Sequence, residues 1–266
     1  MSGLDEARQL LAELAEEVPE APGRVVVDLS GEVGIVRFDA PRTRNALTVQ
    51  MMGQLAAAVE AIGRWEGRAV LLCAEGPAFC AGGHLGQVHA ALGTPERGAR
   101  MARAMGGVLD ALFDAPPITV AVVHGPAIGG GAELATACDF RVGGPATRIH
   151  FVQGRLGVAA GWGGAGRLTR LLGRRLALTT LLEARPLDAA RAMSIGLLDA
   201  VGEDPLAEAG ALLDGFVGAA APARALKAQV VAAETLGPRG RDEAAHAFAT
   251  VWGGPDHRAA LDGRRG

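Results

Sequence analysis

Two short apolar runs, each followed at once by a glycine-rich loop, constrain the fold of this chain more than any other feature. Ala69–Ala74 leads into the loop 76–83, and Ile118–Val123 leads into the loop 124–131. Apolar runs of this length without polar alternation are typical of strands that are covered on both faces of a parallel sheet. Small residues at the end of a strand allow the backbone N–H groups to approach a ligand closely. The pattern therefore predicts an α/β fold with two ligand-facing turns.

The second loop runs directly into a helix, which adds unpaired N–H groups and a partial positive charge at the helix N-terminus. Two such turns that converge on one carbonyl oxygen would form an oxyanion hole, worth about 3–4 kcal/mol per donor. Each loop taken alone is more often a packing device than a ligand site. Neither loop has the glycine spacing of a dinucleotide-binding or phosphate-binding motif.

Strands and helices alternate through most of the chain, and a helical tail follows. Residues 25–38 have the pattern of a hairpin, and 95–113 that of a helix. This order favours an α/β fold with a mostly parallel sheet. We expect an N-terminal amphipathic helix within 1–20, a core over 24–200 and a helical region over 201–266.

Composition and charge exclude several classes of function. The chain contains no tyrosine, so no mechanism that needs a phenol is possible, and its net charge of −3 does not predict a nucleic-acid or membrane partner. Cys73, Cys80 and Cys138 lack metal-type spacing and are expected to be buried free thiols in a reducing compartment. No apolar stretch reaches the about 18 residues of a membrane span, and the acidic start lacks the features of a signal peptide. We expect a cytoplasmic protein that holds no metal.

Four motifs resemble the crotonase (enoyl-CoA hydratase/isomerase) superfamily in their order and spacing. They are the RNAL of 44–47, the FCAGG of 79–83, the GGGAEL of 129–134 and the LGVAAGWGG of 156–164. The resemblance implies a ClpP/crotonase-like spiral of ββα turns with a C-terminal helical region that forms homotrimers, which often pair into hexamers. It also implies an acyl-CoA thioester as substrate and no cofactor beyond the coenzyme A of that substrate.

The resemblance assigns catalytic roles to four residues. The backbone N–H groups of Gly83 and Gly130 should form the oxyanion hole, and Glu133 matches the first of two glutamates that hydratases use. His84 replaces the usual aspartate of the first loop; it is either structural or contacts an acyl carboxylate or the thioester. Substrate contacts are expected at Arg44, Ala46, Ala81, Gly82, Leu85, Gly129, Gln153, Val158, Trp162 and Lys227, with Lys227 near the CoA phosphates.

The second hydratase glutamate would fall at Gln153. An amide cannot act as a general acid or base, so this residue argues against ordinary hydration. It does not argue against double-bond isomerisation, for which one acid–base residue can suffice.

A narrower resemblance is to the ethylmalonyl-CoA decarboxylases, carried by 93–98, 130–141 and the VWGGP of 251–255. The departures are His84, where that branch has an acid, and Ala160, where it has proline. The resemblance implies a lyase that decarboxylates a methylmalonyl-CoA or ethylmalonyl-CoA type of thioester. The carboxylate would lie in an apolar pocket near Val158 and Trp162, and Glu133, a water that it holds, or His84 would supply the proton.

Two other classes of function stay open. One is another crotonase reaction, such as hydration, isomerisation or carbon–carbon bond cleavage in secondary metabolism. The other is a non-catalytic CoA-binding subunit, against which the retained Glu133 and both glycine loops argue.

Overall fold

The structure, a computed structural model, describes residues 3–87, 94–216, 218–236, 241–252 and 254–262. Its larger sheet has six strands in the order β1-β2-β3-β4-β6-β9. The first pair is an antiparallel hairpin, and every later pair in this sheet is parallel. The strands are β1 Arg24–Asp28, β2 Val33–Asp39, β3 Ala69–Ala74, β4 Ile118–Val123, β6 Phe140–Gly143 and β9 Ala200–Val201.

A second sheet of three short strands lies immediately after β4. It consists of β5 (Pro126–Ile128), β7 (Arg148–His150) and β8 (Leu187–Asp188). Strand β5 pairs in parallel with β7, and β7 pairs antiparallel with β8. Since β5 separates β4 from the second glycine turn, this small sheet positions that turn.

Helices cover the sheets and form the C-terminal part of the described chain. Two 3-10 helices, Pro41–Thr43 and Gln153–Leu156, lie in the loops beside the glycine turns. The α-helices are α1 Gly3–Glu16, α2 Val49–Arg64, α3 Pro95–Phe113, α4 Gly130–Ala135, α5 Gly164–Glu183, α6 Ala189–Ser194, α7 Pro205–Asp214, α8 Ala220–Leu236, α9 Arg241–Val251 and α10 Pro255–Asp262.

Local sequence signals explain where several helices begin. The Thr48 hydroxyl accepts a hydrogen bond from the Met51 N–H at 3.1 Å and caps α2, as its position before an amphipathic run predicts. Thr94 caps α3 in the same way, and proline at the first helical position suits an N–H that would otherwise be unpaired.

The N-terminal helix is part of the folded unit. Ala7, Leu11 and Leu14 are buried on one face of α1, which packs on α3 and α2. These helices and one face of the large sheet enclose the main hydrophobic core. Within the described residues, no helix is both long and apolar enough to cross a membrane.

Candidate functional site

The first glycine loop is held along one side by the segment 44–47. The Leu47 N–H donates to the Gly82 carbonyl at 2.7 Å, and the His84 N–H donates to the Leu47 carbonyl at 2.9 Å. Gly83 lies between these two bonds, and its N–H has no acceptor among the described residues. The pairing therefore leaves without a partner the one N–H group, that of Gly83, for which the motif predicts a place in an oxyanion hole.

The second glycine turn also contains an N–H group without an acceptor among the described residues. The Gly129 N–H donates to the His150 carbonyl at 2.8 Å, which fixes the turn on β7. Gly130 is the first residue of α4, and in the described part of the chain its N–H meets no acceptor. This follows from helix geometry, because N–H groups of a first turn have no intrahelical partner.

The two turns are in direct contact. Gly82 has a φ of +92°, and a Cβ added there would lie 2.9 Å from the Ile128 carbonyl oxygen and 3.2 Å from the Gly130 nitrogen. The Ile128 N–H also donates to the Cys80 carbonyl at 2.9 Å. The Gly83 nitrogen is one peptide away from this contact, so the two turns lie side by side. That these two amides form an oxyanion hole stays a prediction.

Asn45 organises the first loop, a role that the sequence motif did not reveal. Its Oδ1 accepts from the Ala40 N–H at 2.8 Å, and its Nδ2 donates to the carbonyls of Glu75 and Ala78 at 2.7 Å each. Arg44 and Asn45 both have positive φ, and asparagine tolerates this region better than most residues. The sequence signal that could have revealed this role is an asparagine directly after Arg44 in a tight turn.

The other residues predicted near the first loop differ in accessibility. Ala46 is buried, and the Ala81 N–H donates to the Arg44 carbonyl at 3.0 Å. The side chains of Arg44 and Leu85 are exposed beside the turn. His84 Nδ1 is buried and has no hydrogen-bond partner among the described residues. The structure therefore places all of these residues along the 44–47 and 79–85 edge of the site.

Glu133 is 2% exposed and is held by three donors. Gln153 Nε2 donates to Oε1 at 2.8 Å, and the N–H groups of Trp162 and Gly164 donate to Oε2 at 2.8 Å each. Gly164 begins α5, so the carboxylate lies where a helix N-terminus favours negative charge. Both oxygens act as acceptors, and the three donors together define the orientation of the carboxylate.

Arg167 supports the same turn from inside the protein. Its guanidinium is buried, binds the Trp162 carbonyl, and pairs with Asp110 Oδ1 at 2.8 Å. Burial lowers the pKa of Arg167 from its ordinary value, while the neighbouring Asp110 and Glu133 carboxylates oppose that shift. This arginine thus completes the support of the 162–164 turn.

Trp162 packs against the second glycine turn. It is 8% exposed, and a Cβ added at Gly130 would lie 2.3 Å from its Cζ3 atom. Val158, in the same loop, is exposed, and its N–H donates to the Gln153 carbonyl at 3.1 Å. Of the two predicted apolar residues, Trp162 therefore packs on the turn, whereas the Val158 side chain is accessible.

Lys227 binds groups of the protein itself. Its ammonium group is buried and binds Asp139 Oδ2 at 2.6 Å and the Pro117 carbonyl at 2.9 Å. Because the ammonium group of Lys227 binds both of these oxygens, its charge is directed into the protein interior. Its contact with the CoA phosphates stays a prediction.

Two of the cysteines behave as the sequence predicts. Cys80 and Cys138 are free and buried, and burial raises the pKa of each thiol to about 12. Since the thiolate is the nucleophilic form, neither is suited to nucleophilic catalysis at neutral pH. Cys73 is also free but only partly buried. No cluster of metal-ligating side chains occurs in the described ranges.

The fold and the paired glycine turns define the crotonase class of acyl-CoA enzymes. The family model described as enoyl-CoA hydratase/isomerase matches residues 28–241, and the chain belongs to this family. The predictions of the fold and of the family are confirmed.

Relatives and solved structures agree with this assignment. Ethylmalonyl-CoA decarboxylase of Gallus gallus is 37% identical over 90% of this chain and 84% of its own. The protein of the same name from Bos taurus is 36% identical over 94% of this chain and 84% of its own. The crystal structure of enoyl-CoA hydratase from Bacillus anthracis superimposes with a TM-score of 0.81 at 24% identity, covering 91% of this chain and 95% of that one. The narrower resemblance to the decarboxylases is thereby confirmed.

Proposed function

We propose that this chain is a lyase that decarboxylates a 2-carboxyacyl-CoA thioester of the methylmalonyl-CoA or ethylmalonyl-CoA type. The observation that carries the proposal is the pair of N–H groups on Gly83 and Gly130, which have no acceptor among the described residues and lie in turns that touch each other. The relatives named ethylmalonyl-CoA decarboxylase support the choice of reaction.

The chemistry needs little from side chains. When the substrate carboxylate lies perpendicular to the thioester plane, the electrons of the breaking carbon–carbon bond enter the carbonyl and form an enolate, and carbon dioxide leaves. The two N–H groups would hold the negative enolate oxygen, and removal of one such donor costs about 10²–10³-fold in rate in a well-studied enzyme. A proton from a proton donor in the site then adds to the α-carbon and gives the saturated acyl-CoA.

Apolar surroundings favour loss of the carboxylate, because a poorly solvated anion is destabilised relative to the spread charge of the transition state. Trp162 packs on the turn, and Leu85 and Val158 expose apolar side chains next to the two loops. The nearby Arg167 guanidinium is buried and directs its two Nη groups to Asp110 and to a carbonyl, so these two groups are engaged inside the protein.

Gln153 argues against hydration as the main reaction. Its amide donates to Glu133, so the place of a second carboxylate is taken by a group that cannot exchange a proton at neutral pH. Without that second acid–base group, addition of water to a double bond lacks one of its two proton-transfer partners.

Incubation with methylmalonyl-CoA and ethylmalonyl-CoA tests the proposal directly. We expect release of carbon dioxide together with propionyl-CoA or butyryl-CoA, measured by mass spectrometry, and little or no hydration of crotonyl-CoA. The variant Glu133→Gln should lower the rate of carbon dioxide release by about 100-fold, because it removes the carboxylate that holds Gln153 and the 162–164 turn in place. Absence of carbon dioxide from every 2-carboxyacyl-CoA would reject the proposal, and efficient crotonyl-CoA hydration would favour a hydratase.

We propose further that the chain forms a homotrimer, or a dimer of trimers, through its C-terminal helices. Leu226 and Val230 lie one turn apart on α8, and Val230 is 66% exposed. The double variant Leu226→Glu with Val230→Glu should shift the protein to a monomer, measured by light scattering during size-exclusion chromatography. Thr235→Glu, a change at an exposed polar position on the same helix, should leave the assembly unchanged. A wild-type protein that elutes as a monomer contradicts this proposal.

A further inference from the structure

The side chain of Gln153 has one half of its amide bound and the other half free. It is 7% exposed, and its Nε2 donates to Glu133 Oε1 at 2.8 Å. Its Oε1 is buried and has no hydrogen-bond partner among the described residues. A buried acceptor without a donor costs about 1–3 kcal/mol. We therefore expect the substrate or a bound water to supply a donor to this oxygen during the reaction.

Glu133 determines which way this amide points. A carboxylate oxygen accepts hydrogen bonds, so the NH₂ group of the amide must face Glu133 and the carbonyl oxygen must face away. Glu133 is itself fixed, since Oε2 is bound by two backbone N–H groups of the 162–164 turn. The orientation of the free oxygen is therefore set by residues on α4 and at the start of α5.

Gln153 lies close to the reacting centre. It begins the 3-10 helix that follows β7, and the preceding Val152 is close to the oxyanion turn, with its Cγ1 atom 3.5 Å from the position of a Cβ added at Gly129. Its acceptor Glu133 lies three residues after Gly130, one helical turn away. The segment that carries Gln153 is thus adjacent to the glycine turn that would hold the enolate.

We infer that Gln153 is a positioning residue that orients the water molecule which protonates the α-carbon of the enolate. This inference rests on the proposed decarboxylation. One hydrogen of the water donates to Gln153 Oε1, and the other is transferred to the α-carbon as its O–H bond breaks. The hydroxide that remains passes to solvent, so substrate and one water give the saturated acyl-CoA, carbon dioxide and hydroxide. Water held on one side of the enolate delivers hydrogen to one face.

The stereochemistry of deuteration tests this role. In deuterium oxide, the wild-type protein should convert ethylmalonyl-CoA to butyryl-CoA that carries deuterium at C2 as a single enantiomer. Gln153→Met, which keeps the length of the side chain and removes both hydrogen-bonding groups, should give both enantiomers. Gln153→Glu, which retains an oxygen acceptor, should restore one enantiomer. A purely structural role would leave the enantiomer unchanged in all variants that fold and bind butyryl-CoA.

A second measurement does not depend on decarboxylation. Exchange of the α-hydrogen of butyryl-CoA with deuterium oxide reverses the protonation step, and Gln153→Met should slow it by about 100-fold. If the wild type releases carbon dioxide but Gln153→Met keeps enantiomeric purity and exchange rate, this inference fails while the proposed function stands. If the wild type releases no carbon dioxide, the proposed function fails, and the exchange measurement still decides the role of Gln153. A racemic wild-type product overturns the inference as well.

Discussion

Gly82→Ala should lower kcat/KM for the acyl-CoA reaction by about 10²–10³-fold, the loss expected when an oxyanion donor is displaced. The added Cβ would lie 2.9 Å from the Ile128 carbonyl oxygen and 3.2 Å from the Gly130 nitrogen. Both atoms belong to the backbone of the other loop, so the clash cannot be relieved by a side-chain rotation. The two turns must therefore separate, and the amides of Gly83 and Gly130 would no longer converge.

The φ of +92° at Gly82 adds backbone strain, which costs of order 1–3 kcal/mol for a residue with a Cβ. Stability should fall by a similar amount, measured by urea unfolding, and the protein should stay folded. The loss of activity should therefore be larger than the loss of stability can explain.

Gly53→Ala is the matched control. Gly53 lies inside α2, and no described atom outside its chain neighbours and the backbone of its own helix lies within 4 Å of the position of its added Cβ. Alanine in a helix interior is favoured over glycine by about 0.5–1 kcal/mol, so this variant should be slightly more stable and fully active. Wild-type kcat/KM in Gly82→Ala would contradict the convergence of the two turns.

The glycine turns and the strands before them could be predicted because their signals are local. The apolar runs of β3 and β4 end where the glycines begin, and Thr48 marks the start of α2 by its side chain alone. The order of these signals along the chain was enough to identify the family, whose fold then determines how distant strands pair.

The environment of Glu133 could not be predicted from the sequence, because its partners come from elsewhere. Its side chain receives N–H groups from Trp162 and Gly164, which are separated from it by 29 and 31 positions. These donors belong to the backbone, so no residue type reveals them. The same limit applies to Asn45, whose three partners are backbone groups in two other segments.

For Lys227 the residue type was misleading, because it suggested an exposed side chain and the side chain is buried. A lysine in a helix is usually exposed, and the family resemblance offered a role for a free ammonium group. The structure buries it against Asp139, which lies 88 positions away in sequence. A long-range ion pair of this kind leaves no trace in the local pattern of α8.

Lys227→Met should destabilise the protein by about 3–5 kcal/mol, since removal of one partner leaves a charge in the interior without its counter-ion. Asp139 Oδ2 binds the Lys227 ammonium group at 2.6 Å, the Thr119 N–H at 2.7 Å and the Thr119 hydroxyl at 2.9 Å. The lysine thereby joins α8 to β4 and to the chain just after α4. The free energy of unfolding, measured in urea, checks the prediction.

The exposed pair of Arg24 and Asp39 provides the control for this variant. Arg24 is 70% exposed in its side chain, and an ion pair in such a setting contributes about 0–1 kcal/mol. Arg24→Met should therefore cost far less than Lys227→Met, although both changes remove one cation from a carboxylate at hydrogen-bonding distance.

The KM for the acyl-CoA substrate separates the two roles of Lys227. If the ammonium group serves only the interior, folded Lys227→Met protein at low temperature should keep a KM close to that of the wild type. If it contacted the CoA phosphates, the KM should rise while the free energy of unfolding changed little. A raised KM with unchanged stability would thus support the predicted role of Lys227 at the CoA phosphates, whereas lost stability with unchanged KM would locate the contribution of Lys227 in the fold.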